Sequence, residues 1–324
     1  MNSHKKKLFL FIKFLISAGL MAFLFYKIDL QGLVSRLRSL DISFFIIMLA
    51  LPHINILISS LKWQWLLGAL SIKESLGHLF SVYMIGTFFS NFLPSMIGGD
   101  IFRIFHLSRN NSDAAGIIAA TFTERFMGLT ALISIVLLIL CHPKIYSVFP
   151  LITTLAPAAL LIYILLLVFI FNRKYLVILE PLRHFKIVDR ILVLIQEAQK
   201  HVINYKVRKR VVLASYFISF VFYVITMLTV YVASRTLNIS IQFDVIMLVV
   251  PLVLLVGMIP ISIGGLGLNE SSYVFFFTLF GMTSVDAFSI ALLLRVRILL
   301  TGIIGGMLFV NSKTIFMRNN TIKR

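Results

Sequence analysis

Long apolar runs separated by short polar connections dominate this chain. Six of these runs are long enough to cross a bilayer, since a spanning α-helix needs about 20 apolar residues. They cover residues 8–26, 42–61, 114–140, 151–171, 211–234 and 287–310. A spanning segment must satisfy its backbone hydrogen bonds internally, which a helix does. The pattern therefore predicts an all-α fold, a polytopic integral membrane helical bundle.

Two further apolar stretches are interrupted by proline and glycine. The first covers 75–93, breaks at 94–99 and resumes over 100–109, and the second covers 245–259, breaks at 260–270 and resumes over 271–281. Their second limbs are too short to span a membrane. We interpret both as re-entrant broken-helix hairpins, although proline kinks in ordinary spans would give a similar pattern.

Composition supports the membrane assignment and narrows the function. The 324 residues are 60% hydrophobic and only 13% charged, which excludes an ordinary soluble domain. The formal net charge of +18 is expected where basic residues crowd the cytoplasmic ends of spans, so we predict no nucleic-acid partner. Cys141 is the single cysteine, which excludes an internal disulfide and a cysteine metal cluster.

Basic segments predict the orientation of the chain. Residues 172–210 hold ten Lys or Arg and three acidic residues, and both termini are basic. The positive-inside rule places all three segments in the cytoplasm of a bacterial inner-membrane protein. This predicts two halves, about 1–171 and 211–324, joined by the basic segment 172–210. Both hairpins must then return to their own side, although four crossings in the second half would also fit.

The two breaks share a spacing that suggests an internal repeat. Pro94, Gly98 and Gly99 match Pro260, Gly264 and Gly265 in a Pro-x-x-x-Gly-Gly pattern. Interrupted helices at corresponding places in two halves are typical of transporter binding sites, because irregular backbone at membrane depth needs a polar cavity.

Charged residues within or beside the apolar segments are the candidate substrate-binding groups. Such residues are costly in hydrocarbon and usually face a polar interior. They are Asp100, Arg103, Glu124, Arg125, Glu270, Arg295 and Arg297. Four positive charges against three negative ones suit an anionic group, and the planar guanidinium suits phosphate. An internally paired network that only stabilises the bundle is the alternative.

Three motifs in order along the chain resemble those of a known family. They are the segments 91–103, 124–125 and 260–270. They are similar to motifs of the lysylphosphatidylglycerol synthase transmembrane family, the flippase-like domain also found in multiple peptide resistance factor proteins. The resemblance covers nearly all of 1–324 and implies a single transmembrane flippase-like domain with a lipid-accommodating cavity. Asn269 departs from the family, which often has Arg at this place.

The resemblance implies a stand-alone member without the aminoacyl-transferase domain, so we do not expect lysyl-lipid synthesis. We predict a lipid translocase that handles an anionic or phosphate-bearing headgroup, with membrane lipids as partners and no cofactor, metal or catalytic residue. A membrane-embedded transferase acting on a polyprenyl-phosphate or phospholipid is the alternative. A non-enzymatic assembly partner and a homo-oligomer both stay open.

Overall fold

A computed structural model describes residues 3–92, 98–109, 111, 113–140 and 209–321, together with the isolated positions 157, 160, 161, 163 and 200. Every regular element in these residues is an α-helix, so the all-α prediction is confirmed. The helices are α1 (Ser3–Lys27), α2 (Leu30–Arg38), α3 (Ile42–Ala69), α4 (Leu76–Phe92), α5 (Gly98–Ser108), α6 (Ala114–Leu140), α7 (Lys209–Thr236), α8 (Phe243–Gly257), α9 (Leu268–Leu279) and α10 (Ser284–Thr321).

Several of these helices have the length and composition of membrane spans. Four qualify singly: Ile42–Ala69, Ala114–Leu140, Lys209–Thr236 and Ser284–Asn311. The bent pair Phe11–Lys27 and Leu30–Arg38 qualifies together and brings the number to five in the described residues. The chain is therefore an integral membrane protein, as predicted. The predicted span 151–171 lies mostly outside the described residues, and the basic segment 172–210 does so apart from residues 200, 209 and 210.

Helix α2 is an element that the apolar pattern did not predict. It bends by 90° from α1. Asp29 caps its N-terminus, because the carboxylate accepts hydrogen bonds from the backbone amides of Gln31 and Gly32 at 3.0 and 3.1 Å. Arg36 then forms a 2.7 Å ion pair with Asp286 at the start of α10. The chain after the first apolar segment is thus fixed against α10.

The first broken segment forms two antiparallel limbs. Helix α4 ends at Phe92, and α5 begins at Gly98. A Cβ atom on Gly99 would collide with Ser90 and Gly86, while the Arg103 guanidinium lies 3.8 Å from the Tyr83 ring centroid. Residues later in α5 therefore pack against residues earlier in α4. A re-entrant hairpin needs this arrangement, although its position in a membrane stays a prediction, and Pro94 lies outside the described residues.

The second broken segment is also a pair of contacting helices. Helix α8 ends at Gly257, and α9 begins at Leu268, three residues before the predicted Ser271. Pro260 lies in the connecting turn, where Gly264 and Gly265 have φ of +55° and +72°. Gly98 and Gly99 instead start α5. The two Gly-Gly pairs thus differ in backbone conformation, and the internal repeat stays a prediction.

Contacts group the chain into two compact units. The first comprises Met1–Ile58, Phe80–Arg103 and Phe222–Arg324, and the second comprises Ser59–Leu79 and Ile104–Val221. The first unit contains both breaks with proline and glycine, residues 94–99 and 260–270. The second contains all of α6 and the first half of α7.

Candidate functional site

The predicted site residues are divided between the two units. Asp100, Arg103, Glu270, Arg295 and Arg297 belong to the first unit, while Glu124 and Arg125 belong to the second. In the first unit, Asp100 pairs with Arg103 and Glu270 pairs with Arg295, whereas Arg297 belongs to neither ion pair. Each group is described below within its own unit.

Glu270 and Arg295 lock the turn that joins α8 to α9. The Arg295 Nε donates to Glu270 Oε1 at 2.5 Å. Its two terminal nitrogens donate to the backbone carbonyls of Gly264 and Gly265 at 3.0 and 2.9 Å. Glu270 Oε2 accepts from the Gly267 amide at 2.7 Å and so caps its own helix. Both side chains are nearly fully buried.

The local sequence explains why this turn forms here. Gly265 has φ of +72°, a conformation that costs other L-residues about 1–2 kcal/mol. The Gly265 carbonyl accepts from the Asn269 amide at 3.0 Å, whereas the Gly264 carbonyl has no backbone donor among the described residues, and buried carbonyls need donors. The two terminal nitrogens of the Arg295 guanidinium donate to the Gly264 and Gly265 carbonyls, while Glu270 neutralises the positive charge. Arg295 and Glu270 are therefore committed to the architecture of the second break.

A cavity of about 130 Å³ lies beside this lock. Helices α7, α8, α9 and α10 line it, with polar groups from Thr226, Thr229, Asn269, Tyr273 and Arg297. The Nε of Arg297 is buried and has no hydrogen-bond partner among the described residues. Glu270 and Arg295 also line this cavity and neutralise each other. Within the described part of the chain, Arg297 therefore gives the cavity one positive charge that no ion pair compensates.

Asp100 and Arg103 form a local pair at the start of the second limb of the first break. The Arg103 terminal nitrogen donates to Asp100 Oδ1 at 2.5 Å, three residues away on α5. The guanidinium also stacks over the Tyr83 ring of α4, and only 1% of the Arg103 residue is exposed. These contacts hold α5 against α4. They fit the alternative that these charged residues form an internally paired network that only stabilises the bundle.

Glu124 has a basic partner that the apolar pattern did not identify. Lys62 Nζ lies 3.7 Å from Glu124 Oε1 and donates to the Glu124 carbonyl oxygen at 3.3 Å. It also donates to Ser219 Oγ at 3.2 Å, so the ammonium joins α3, α6 and α7 within the second unit. Lys62 and Glu124 are buried, whereas Arg125 is exposed. The two adjacent charges of α6 thus face different directions, as adjacent helical residues must.

Sequence reasoning missed Lys62 because it treated this charge as the end of a span at Leu61. The helix continues to Ala69, so the lysine lies inside the spanning segment. A single basic residue in an otherwise apolar stretch was the available signal. Tyr273 was missed because an aromatic residue in an apolar helix gives no such signal. Its position in the cavity follows only from the packing of α9 against α8 and α10.

Metal ligands do not cluster in the described part of the chain. No group of three or more His, Cys, Asp or Glu residues there has the geometry of an ion site. The chemistry that the cavity offers is therefore hydrogen bonding and one positive charge. An oxyanion is the kind of ligand that such groups bind.

Comparisons with known proteins place the chain in a family. The family model described as the lysylphosphatidylglycerol synthase TM region matches residues 10–306. The chain is also similar to the UPF0104 membrane protein PH1989 of Pyrococcus horikoshii, at 21% identity over 332 residues that cover 96% of this chain and 99% of the relative. No solved structure matches the chain. The chain belongs to the lysylphosphatidylglycerol synthase transmembrane family.

Proposed function

We propose that this membrane protein translocates an anionic, phosphate-bearing lipid between leaflets, and that Arg297 binds the headgroup. The observation that carries the proposal is the guanidinium of Arg297, whose buried Nε lacks a hydrogen-bond partner among the described residues and which lines a mainly apolar cavity. A buried charge without a partner is costly, so a ligand that pairs with it gains the corresponding binding energy. A phosphate oxygen provides both the opposite charge and the acceptor.

The size of the cavity supports a headgroup rather than a whole lipid as its occupant. A volume of about 130 Å³ holds about four water molecules at about 30 Å³ each, or a group of phosphate size. Acyl chains do not fit into this space and would stay in the surrounding hydrocarbon. The hydroxyl group of Tyr273 and the amide of Asn269 would replace part of the headgroup hydration.

The other predicted site residues have supporting roles in this proposal. Glu270 and Arg295 keep the second break in shape, so the cavity is formed before a lipid arrives. Asp100 and Arg103 do the same for the first break. That Glu124 and Arg125 bind substrate stays a prediction. We further propose that the protein resides in an inner membrane with both termini in the cytoplasm, as the basic segments predict.

A transport assay with matched variants tests the proposal. Purified protein is reconstituted into vesicles that contain a fluorescent phosphatidylglycerol, and a membrane-impermeant quencher reports how fast the label changes leaflet. A hydrogen bond to a charged group contributes about 1.5–3 kcal/mol, so Arg297→Gln should slow translocation by about tenfold to a hundredfold. Arg36→Gln removes a charge from a partly exposed ion pair and serves as the control.

The outcomes separate the competing functions. Slow transport by Arg297→Gln with normal transport by Arg36→Gln supports the proposal, provided that both variants elute as folded protein. Equal transport by both variants contradicts it. If a group donor is added to the same vesicles, mass spectrometry detects a modified lipid when the protein is a transferase, and this result would replace translocation with lipid chemistry.

A further inference from the structure

A chain of hydrogen bonds lies at the open end of the first broken segment, away from the cavity. It joins Glu74, just before α4, to His78 in the first turn of α4 and to His106 in the last turn of α5. His78 Nδ1 lies 2.8 Å from Glu74 Oε2, and His78 Nε2 lies 3.3 Å from His106 Nε2. All three residues belong to the second unit. The first and last turns of the two limbs are thereby connected through side chains.

Both oxygens of the Glu74 carboxylate are engaged, so its orientation is fixed. Oε1 accepts from the Asn111 amide at 3.0 Å, while Oε2 faces His78. The backbone carbonyl of Glu74 accepts from Gln64 at 2.8 Å. A carboxylate held in this way accepts from the Nδ1–H group of His78 and selects its tautomer. When neutral, His78 must therefore present an unprotonated Nε2 to His106.

The two imidazole rings meet almost head on. The ring centroids are 5.5 Å apart, and the two Nε2 atoms are 3.3 Å apart. The difference of 2.2 Å is about the sum of the two ring radii, so both Nε2 atoms lie close to the line that joins the centroids. Each Nε2 therefore points at the other, as in an N–H···N hydrogen bond. A bridging zinc ion with Zn–N of about 2.0–2.1 Å would instead draw both nitrogens toward a point beside the line that joins them. Among the described residues, no group of three His, Cys, Asp or Glu side chains has the geometry to hold a metal ion here.

This geometry sets how many protons the pair can hold. In the neutral pair His106 donates through Nε2 and His78 accepts. One added proton is tolerated, because His78 can then donate from both nitrogens while His106 accepts through Nε2. A second added proton places N–H groups on both facing nitrogens and leaves no acceptor between them. The hydrogen bond between the two imidazole rings is then lost.

We propose that Glu74, His78 and His106 form a proton-sensitive clasp, which ties the first turn of α4 to the last turn of α5 and opens on acidification. This inference is independent of the proposed lipid transport. It concerns the open end of the hairpin and not the cavity around Arg297. The ligand that controls it is the proton, and the structural readout is the contact between the two limbs.

The charges around the clasp set the pH range of its opening. Burial lowers the pKa of His106 from its ordinary value of 6.5, and the positive charges of His78 and Arg109 lower it further, while Glu74 raises it. Because the folded-state pKa is lowered, the unfolded chain binds this proton more readily. The stability of the clasp is therefore complete above pH 6.5 and falls as the pH decreases below this value.

Nuclear magnetic resonance of the full chain labelled with ¹⁵N-histidine tests the clasp. We expect a scalar coupling across the Nε2–H···Nε2 bond near neutral pH, which disappears on acidification. His106→Gln keeps a donor for His78 but cannot be protonated there, so the pH-dependent loss of thermal stability should be much smaller. His53→Gln alters a histidine that binds a backbone carbonyl within α3 and should behave as the wild type.

Three results would overturn the clasp. One is a wild-type protein without the coupling near neutral pH, and another is a coupling that persists unchanged on acidification. The third is a coupling or stability that disappears when a chelator is added at neutral pH, because a metal ion would then hold the two histidines. His78→Gln removes the link to Glu74 and provides a second folded variant, in which the coupling must be absent.

Discussion

Arg295 makes contacts that depend on the shape of its side chain as well as on its charge. It donates to Glu270 and to two backbone carbonyls at the same time. Lysine keeps the charge but has no planar fork, so it cannot satisfy all three acceptors. We expect Arg295→Lys to lower the free energy of unfolding by about 1.5–3 kcal/mol.

The test of Arg295→Lys is a denaturant titration of the purified protein in detergent micelles. Arg36→Lys is the matched control, because Arg36 makes one partly exposed ion pair. This control should change stability by less than about 1 kcal/mol. Equal stabilities for the two variants would show that Arg295 does not hold the turn.

Lys62 and Glu124 make a buried pair whose two members depend on each other. Removing one charge takes away the opposite charge that stabilises the other buried group, which typically costs about 3–5 kcal/mol. We expect Lys62→Met and Glu124→Gln each to destabilise the protein, and the double variant to be more stable than the sum of the single effects predicts. Strictly additive losses in the same titration would mean that the two side chains are not coupled.

The sequence identified most of the charged residues but not their pairing. Their cost in hydrocarbon marks them in any apolar segment, so Glu124, Arg295 and Arg297 could be selected directly. Pairing depends on which helices are neighbours and on side-chain direction. These are tertiary properties, and for this reason Lys62 was overlooked and Arg295 was not distinguished from Arg297.

At the scale of the element, the turn between α8 and α9 requires glycine at one place in particular. Gly265 has φ of +72°, and a Cβ atom there would collide with the Asn269 side chain. We expect Gly265→Ala to lower stability by at least about 1–2 kcal/mol. Gly19→Ala is the matched control, since a Cβ atom at Gly19 has no neighbour within 4 Å and should cause no loss.

Adding a second change separates the two causes of this destabilisation. Asn269→Ala removes the side chain that the new Cβ atom meets, so the double variant should recover the steric part of the loss and keep the part caused by φ. Thermal unfolding of the wild type, the Gly265→Ala and Asn269→Ala variants and the double variant in one detergent provides the comparison. A Gly265→Ala protein as stable as the Gly19→Ala protein would contradict the described turn.

The sequence predicted elements well where apolar length alone decides them. Five of the predicted spans, 8–26, 42–61, 114–140, 211–234 and 287–310, coincide with described helices, since an apolar run of that length in a membrane has few alternatives to a helix. Proline and glycine also located both breaks to within a few residues. Helix α2 was not predicted, because it is short and amphipathic and is stabilised by the Asp29 cap and by packing against α10.

At the scale of the whole molecule, the membrane character followed directly from composition, while the shape of the site did not. The orientation of the termini and the internal repeat remain predictions that rest on the basic segments and on the matched spacing. The cavity arises where the four consecutive helices α7 to α10 meet, so its shape depends on how these helices pack. No local pattern in any one of these helices contains that information.

The central claim is that a lipid headgroup occupies the cavity around Arg297, and photocrosslinking in the intact protein tests it most directly. A para-azido-phenylalanine replaces Tyr273, which lines the cavity, or Phe275, which is exposed on the same helix. Both proteins are irradiated in vesicles that contain phosphatidylglycerol, and the adducts are mapped by mass spectrometry. We predict a phospholipid adduct at 273 that Arg297→Gln abolishes, and an adduct at 275 that the same change leaves intact. Absence of the adduct at 273, or its persistence without Arg297, would contradict the claim.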